Sequence, residues 1–125
     1  MRYVQATNAV RGTVLGTRVA VADRWWTRLR GLLGKEHLHP EDGLLLEPCR
    51  GVHMYGMRFA IDAAFLDEEG KVVAVYRNLQ PGARTNRHPN ACRVLELPAG
   101  VLRRTGTREG DVIVCAAGAA QEVLA

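Results

Sequence analysis

The sequence lacks long apolar runs and has few cysteines, and each shortage excludes a class of protein. No stretch approaches the roughly eighteen apolar residues that a membrane-spanning helix needs, so we predict no membrane span. Cys49, Cys92 and Cys115 are too few for a disulfide scaffold, and none belongs to a Cys-x-x-Cys pair. Residues 1–8 contain no apolar run typical of a secretion signal. We therefore expect reduced thiols and a cytoplasmic location.

Lysine is also scarce, because the 17 basic residues include only Lys35 and Lys71 and the rest are arginine. Arginine favours bidentate recognition of carboxylate or phosphate, so a small anionic ligand is one expectation. Genome composition or adaptation to heat would produce the same bias. A nucleic-acid surface normally carries lysine together with a recognisable motif, and this chain contains no such motif. We therefore expect neither a nucleic-acid partner nor a membrane partner.

The hydropathy pattern predicts one β-rich domain over residues 1–125, with a frayed tail at 116–125. A chain of 125 residues, 47% of them hydrophobic, is long enough to form one core. The expected fold is mainly β (α+β), an antiparallel barrel or sandwich with one or two short helices. Strands are expected within residues 11–22, 44–47, 59–67, 71–76, 93–97 and 112–115.

Turn and capping residues set the limits of several predicted elements. Gly70 supplies the positive φ of the turn between the strands at 59–67 and 71–76. Asp23 is the expected N-cap of a helix over 24–34, which Gly34 ends. Pro98 is expected to open a second helix over residues 99–105.

Three separated motifs resemble a known prokaryotic family. They are RLRGLLG at residues 28–34, GVHMYGMRFAIDAAFLD at 51–67 and VLELPAG at 94–100, followed by Gly110 and Asp111. In this order, over residues 13–114, they resemble the Domain of Unknown Function 192 family. The resemblance implies a mostly antiparallel β domain with no established catalytic activity, ligand or cofactor. The chain departs from the family's usual proline at Ala60 and its frequent threonine at Met54.

Metal-ligand side chains recur at a spacing of four, first as Cys49, His53 and Met57 and again as His88 and Cys92. This spacing places side chains on one side of a regular strand or helix. Thiolate, imidazole and thioether suit copper(I), and two cysteines with two histidines suit zinc. Glycines within the segment would break its regularity, and cysteine and methionine are ordinary core residues. A metal site is therefore an alternative, and no metal is the primary expectation.

Cys49 admits a second interpretation, as the nucleophile of a Cys/His-dependent hydrolase. His53 or His88 would activate the thiol, and Asp62 or Glu96 would orient the imidazole. A cysteine with a histidine four residues later is a weak signal for such a pair. The enzyme hypothesis therefore ranks below a binding module.

Two acidic residues within the motifs have predicted positions. Asp62 is expected to form a structural ion pair with Arg58 at a sheet edge. Glu96 alternates with two leucines, so it faces either solvent or, if the leucines point outward, the barrel interior. An inward Glu96 would need His53 or Arg58 as its partner. The default ligand pocket therefore consists of Cys49, His53, Arg58, Asp62 and Glu96.

The basic loop at residues 79–91 is longer than most connections, which favours a functional role. Arg84, Arg87 and His88 would form an anion-binding rim with the loop as its lid, and a merely solvated loop is the alternative. The leading hypothesis is a ligand-binding or accessory module whose functional face consists of residues 51–62 and this loop.

Overall fold

Seven strands and two short helices make up residues 2–117, the part of the chain that this computed structural model describes. In chain order they are β1 (Tyr3–Asn8), β2 (Thr13–Ala22), α1 (Trp25–Arg30), β3 (Asp42–Leu46), β4 (Ile61–Leu66), β5 (Val72–Leu79), β6 (Arg93–Pro98), α2 (Val101–Arg104) and β7 (Ile113–Ala116).

These strands form one curled sheet in the order β5-β4-β6-β3-β2-β1-β7. Neighbouring strands are antiparallel except β2 and β3, which run parallel and are connected through α1. A bridge between Lys71 and Val112 joins the two edge strands at their starts, so that the sheet closes into a half-barrel. The predicted mainly β fold, with antiparallel pairing and short helices, is confirmed.

Each face of the sheet carries its own buried apolar layer. The concave layer combines residues from all seven strands and α2, including Leu15, Leu95, Leu97, Leu102 and Ile113. The outer layer lies beneath the turn after α1 and the loops at 48–60 and 80–92, and it includes Leu32, Leu44, Met54, Phe65 and Val94. Side chains alternate between the layers along β4 and β6, because successive residues of a strand point to opposite faces.

The hairpin of β4 and β5 shows how local sequence sets the register. Gly70 adopts a φ of +83°, which residues with a Cβ rarely tolerate. The Asp67 carboxylate accepts the backbone N–H groups of Glu69 and Lys71, both at 2.9 Å, which fixes the turn. The predicted hairpin and its glycine turn are confirmed.

Both helices begin later in the sequence than predicted. Arg24, rather than Asp23, is the N-cap of α1, because its backbone N–H donates to Thr27 Oγ1 at 3.2 Å. Pro98 ends β6 instead of opening a helix, and α2 starts after Gly100.

The first strand was not predicted. Its buried positions are Val4, Ala6 and Asn8, and only one of these is a strongly β-forming apolar residue. In the predicted tail, Ala116 ends β7, and residues 118–125 lie outside the described residues. No helix in residues 2–117 is long and apolar enough to cross a membrane.

Candidate functional site

A cavity of about 180 Å³ lies over the outer face of the sheet. The turn after α1 forms one wall, the end of β3 and the segment 48–57 form the other, and β6 contributes Glu96. The lining residues are Arg28, Arg30, Gly31, Leu32, Leu33, Leu46, Pro48, Cys49, Gly51, Val52, His53, Met54, Tyr55, Met57 and Glu96.

Hydrogen bonds from neighbouring elements hold both walls in place. The Arg28 guanidinium donates to the carbonyls of Asp23 at 3.1 Å and Glu47 at 3.4 Å, which ties α1 to the end of β3. On the other wall, the Met54 backbone donates to the Ala83 carbonyl at 2.7 Å, and the Met54 carbonyl accepts the Gly82 N–H at 2.9 Å. The loop after β5 therefore supports the cavity from behind.

Cys49, His53 and Met57 all line this cavity, although not through the regular strand or helix that their spacing suggested. The segment is irregular and makes one isolated bridge, between His53 and Arg84. A turn at Tyr55 and Gly56, where Gly56 has a φ of +79°, carries the chain around to Met57. An irregular segment with a turn, rather than a regular strand or helix, therefore brings these three side chains to one cavity.

Glu96 is the buried acid of the cavity, with 5% of its surface exposed. It lies between Leu44 on β3 and Ala63 on β4 in the strand register. No described residue donates a hydrogen bond to its carboxyl group, whose oxygens are open to the cavity rather than fully enclosed by protein. Burial raises the pKa of Glu96 from 4.5 to about 7, because the ionised form has lost its hydration. At neutral pH the carboxyl group is therefore divided between its two protonation states.

The predicted orientation of Glu96 is wrong in both of its forms. Leu95 and Leu97 fill the concave layer, so Glu96 faces the outer layer beneath the cavity rather than solvent or the barrel interior. The prediction considered a single buried face. The sheet has two, because the turn after α1 and the segment 48–57 cover its outer side.

The predicted pairing of Asp62 with Arg58 is also wrong. Asp62 is fully buried and accepts three backbone N–H groups, from Asn78 at 2.9 Å, Gly100 at 3.0 Å and Leu102 at 2.9 Å. Arg58 is exposed and pairs with Glu36 at 3.5 Å. Asp62 therefore anchors the start of α2 on the concave side, and neither residue lines the cavity that contains Glu96.

The Cys49 thiol lies in the cavity and donates a hydrogen bond to the Gly51 carbonyl at 3.1 Å. Burial raises the pKa of Cys49, and the charge of Glu96 adds to this effect. A raised pKa keeps the thiol protonated, which is the reverse of what an activated nucleophile needs. No hydrogen bond among the described residues joins Cys49 to His53.

The other candidates lie away from the cavity lining. His88 Nε2 is 2.8 Å from the Tyr76 hydroxyl, and its ring packs against Phe65 with centroids 4.6 Å apart. Cys92 lines a separate surface pocket, and Arg84 and Arg87 are exposed. In the part of the chain described, no three His, Cys, Asp or Glu side chains are grouped to hold a metal ion.

Sequence reasoning missed the wall that the turn after α1 provides. Arg28, Leu32 and Leu33 line the cavity, and Leu46 completes it from β3. The motif at residues 28–34 was visible in the sequence, but its hydrophobic spacing indicated only an amphipathic helix. The available signal was that the resemblance includes this motif together with two others that are distant in sequence. The fold brings residues of all three motifs to one cavity.

Comparison with known proteins identifies the family and the fold. The model of the Domain of Unknown Function 192 family (DUF192, Uncharacterized ACR) matches residues 6–115. No curated protein matches. A protein of unknown function from Novosphingobium aromaticivorans has a similar structure, with a TM-score of 0.77, 22% identity and coverage of 90% of this chain and 83% of its own.

A second similar structure is a candidate transcription regulator from Sinorhizobium meliloti. Its TM-score is 0.72, its identity is 24%, and the alignment covers 92% of this chain and 96% of the other. At these identities the two structures indicate a shared fold. The family match spans nearly the whole sheet, from β1 to β7. The chain belongs to the Domain of Unknown Function 192 family.

Proposed function

We propose that this protein is a binding module for a small organic amine, which enters the cavity and pairs with Glu96. The observation that carries the proposal is the buried Glu96 carboxyl group, which lines the cavity and receives no hydrogen bond from the described residues. A buried acid without a donor is unfavourable for folding, so its presence favours a role in binding. A ligand ammonium group would supply both hydrogen bonds and opposite charge.

The volume of the cavity limits the body of the ligand. An apolar cavity of roughly 150 Å³ accommodates benzene, so about 180 Å³ accommodates a ring or short branched chain carrying one head group. Leu32, Leu46, Met54 and Met57 provide apolar and polarisable walls for such a body. A small ligand with one apolar end and one cationic end fits this arrangement.

The arginines near the cavity do not compete strongly for Glu96. Arg28 already donates to two carbonyls, and no described salt bridge joins Arg28 or Arg30 to Glu96. The Glu96 carboxyl group is therefore left without an arginine partner and can accept a donor from a ligand. Residues 51–57 form the rim of the cavity. Arg84 and Arg87 of the basic loop do not line it.

Thermal unfolding with three probes of matched shape tests this proposal. Benzylamine, benzyl alcohol and benzoate share a phenyl ring with one carbon attached and differ in the charge and hydrogen-bonding groups on that carbon. We expect benzylamine to raise the Tm most and benzoate least, because only the ammonium group complements ionised Glu96. Glu96→Gln should abolish the benzylamine effect, while Glu109→Gln, at an exposed glutamate, should keep it. Stabilisation by benzoate alone, or by none of the probes, would overturn the proposal.

A soft metal ion is a second candidate ligand, because Cys49, His53 and Met57 line one cavity. Thiolate, imidazole and thioether are preferred copper(I) ligands. We expect the protein to withdraw one equivalent of copper(I) from a chromophoric chelator, and the Met57→Leu variant to bind that equivalent more weakly. Failure of the native chain to withdraw copper(I), or equal withdrawal by the native chain and this variant, would contradict a site made by Cys49, His53 and Met57.

We also propose that the protein acts in the cytoplasm. All three cysteines are free thiols, a state typical of a reducing compartment. Cell fractionation of a chromosomally expressed protein tests the location, and recovery outside the cytoplasmic fraction would contradict it.

A further inference from the structure

A second, larger concavity lies beside the cavity, on the other side of the turn that follows α1. This groove has a volume of about 820 Å³ and shares residues 30–33 with the cavity as a common wall. Its floor is the outer face of β2 and β3, and α1 and the segment 31–39 form its side. Its volume far exceeds what a benzene-sized ligand fills and leaves room for several side chains of a peptide.

Large apolar side chains line the groove at the surface. Trp26 is 50% exposed and Leu33 is 43% exposed, and Leu38 is partly buried against the outer apolar layer. Ala20 and Leu44 provide an apolar floor. Exposed apolar side chains that surround a concave apolar surface are typical of an interface with another protein.

The charged residues of the groove are mainly positive. Arg18, Arg30 and Lys35 line it, against a single acidic residue, Asp42. None of the salt bridges among the described residues involves any of these four. Arg24 also lies over the Trp26 ring, 5.4 Å from its centroid, which adds a cation beside the exposed indole. The groove therefore complements a partner that combines negative charge with apolar side chains.

We propose that this groove docks an acidic peptide segment of a partner protein, with one or two bulky apolar side chains inserted between Trp26 and Leu38. Its acidic residues would pair with Arg30 and Lys35 at the rim. A second copy of this chain fits less well, because two molecules that each carry a net charge of +4 repel one another. A nucleic acid fits less well, because the floor is apolar and Asp42 would face its phosphates.

Selection from a phage-displayed random peptide library tests the docking proposal directly. We expect the selected peptides to be enriched in Asp and Glu together with Leu, Phe or Trp. A fluorescein-labelled synthetic copy of one selected peptide is then titrated by anisotropy. Lys35→Glu and Trp26→Ala should each weaken binding at least tenfold, on the order of 1.4 kcal/mol, and added salt should weaken it further. Arg103→Glu, at an exposed position on α2, should leave binding unchanged.

The remaining outcomes would overturn the proposal. Peptides without acidic enrichment, or peptides insensitive to Lys35→Glu in a variant with native thermal unfolding, would show that the groove is not their site. Tighter binding of a single-stranded DNA oligonucleotide would favour a nucleic acid. Concentration-dependent dimerisation that Trp26→Ala abolishes would identify a second copy as the occupant. Glu96→Gln should not alter peptide binding, which separates this test from that of the cavity.

Discussion

Glu96 on β6 and Asp62 on the adjacent strand β4 point to opposite faces of the sheet and have opposite surroundings. Asp62 is paired in register with Leu97, one residue beyond Glu96, and accepts three backbone N–H groups. Glu96 has a similar degree of burial but receives no hydrogen bond from the described residues. We infer a structural role for Asp62 and a ligand-binding role for Glu96, and the predictions below separate the two.

The stability of the protein should fall as the pH rises through 7, because of Glu96. Its folded-state pKa of about 7 exceeds the ordinary value of 4.5, so the folded state holds the proton more tightly. The contribution is complete below about pH 4.5 and is lost as the pH rises through 7. Above pH 8 the loss is about 3 kcal/mol, and urea unfolding from pH 5 to pH 8 measures most of it.

Glu96→Gln provides the matched comparison for this pH dependence. The amide does not ionise, so the variant should be more stable than the native chain above pH 7, with a smaller pH slope. Glu109→Gln, at an exposed position, should retain the native slope. The same slope in the Glu96→Gln variant and the native chain would show that Glu96 does not titrate near neutrality.

Replacement of Asp62 should damage the fold rather than the cavity. Asp62→Asn exchanges one carboxylate oxygen for an N–H donor that faces backbone N–H groups. Depending on which oxygen is replaced, the amide loses either the Asn78 bond or both the Gly100 and Leu102 bonds. We expect a loss of about 2–4 kcal/mol in the free energy of unfolding. Benzylamine should still stabilise the folded variant. A variant with native stability would contradict the anchoring role.

The Tyr76 hydroxyl should hold the loop at residues 80–92 in place. It is 2.8 Å from His88 Nε2 and accepts the Asn86 N–H at 3.2 Å. Tyr76→Phe should cost about 1 kcal/mol and accelerate hydrogen exchange in the loop. Tyr55→Phe, with 78% of the residue exposed, is the control. Unchanged exchange in the loop after Tyr76→Phe would show that other contacts suffice.

The Cys49 thiol should be a slow nucleophile at neutral pH. Burial raises its pKa, so little thiolate is present near pH 7. Peptide mass spectrometry after timed iodoacetamide treatment should show Cys49 reacting more slowly than free glutathione. Glu96→Gln should not slow the reaction further. Faster alkylation than glutathione, lost in Glu96→Gln, would instead revive the hydrolase hypothesis.

The strands were the most predictable part of the fold, because alternation and turn chemistry act over short distances. The β4–β5 hairpin could be read from its pattern and from Gly70. The orientation of Glu96 could not, because it depends on the cover that distant residues place over the outer face of the sheet. Cys49, His53 and Met57 line one cavity, but not through the regular segment on which their predicted convergence depended. The turn that brings Met57 around follows from tertiary contacts at Met54, which spacing does not show.

The central claim, that Glu96 binds an amine in the cavity, is tested most directly by the protons released on binding. Ionised Glu96 is the form that pairs with ammonium, so benzylamine should displace a large fraction of a proton per site at pH 6.5 and much less at pH 8. Calorimetric titration in buffers of different ionisation enthalpy measures this number. Proton release at pH 6.5 that disappears in Glu96→Gln is the predicted result. Binding without proton release, or with equal release in Glu96→Gln, would contradict the claim.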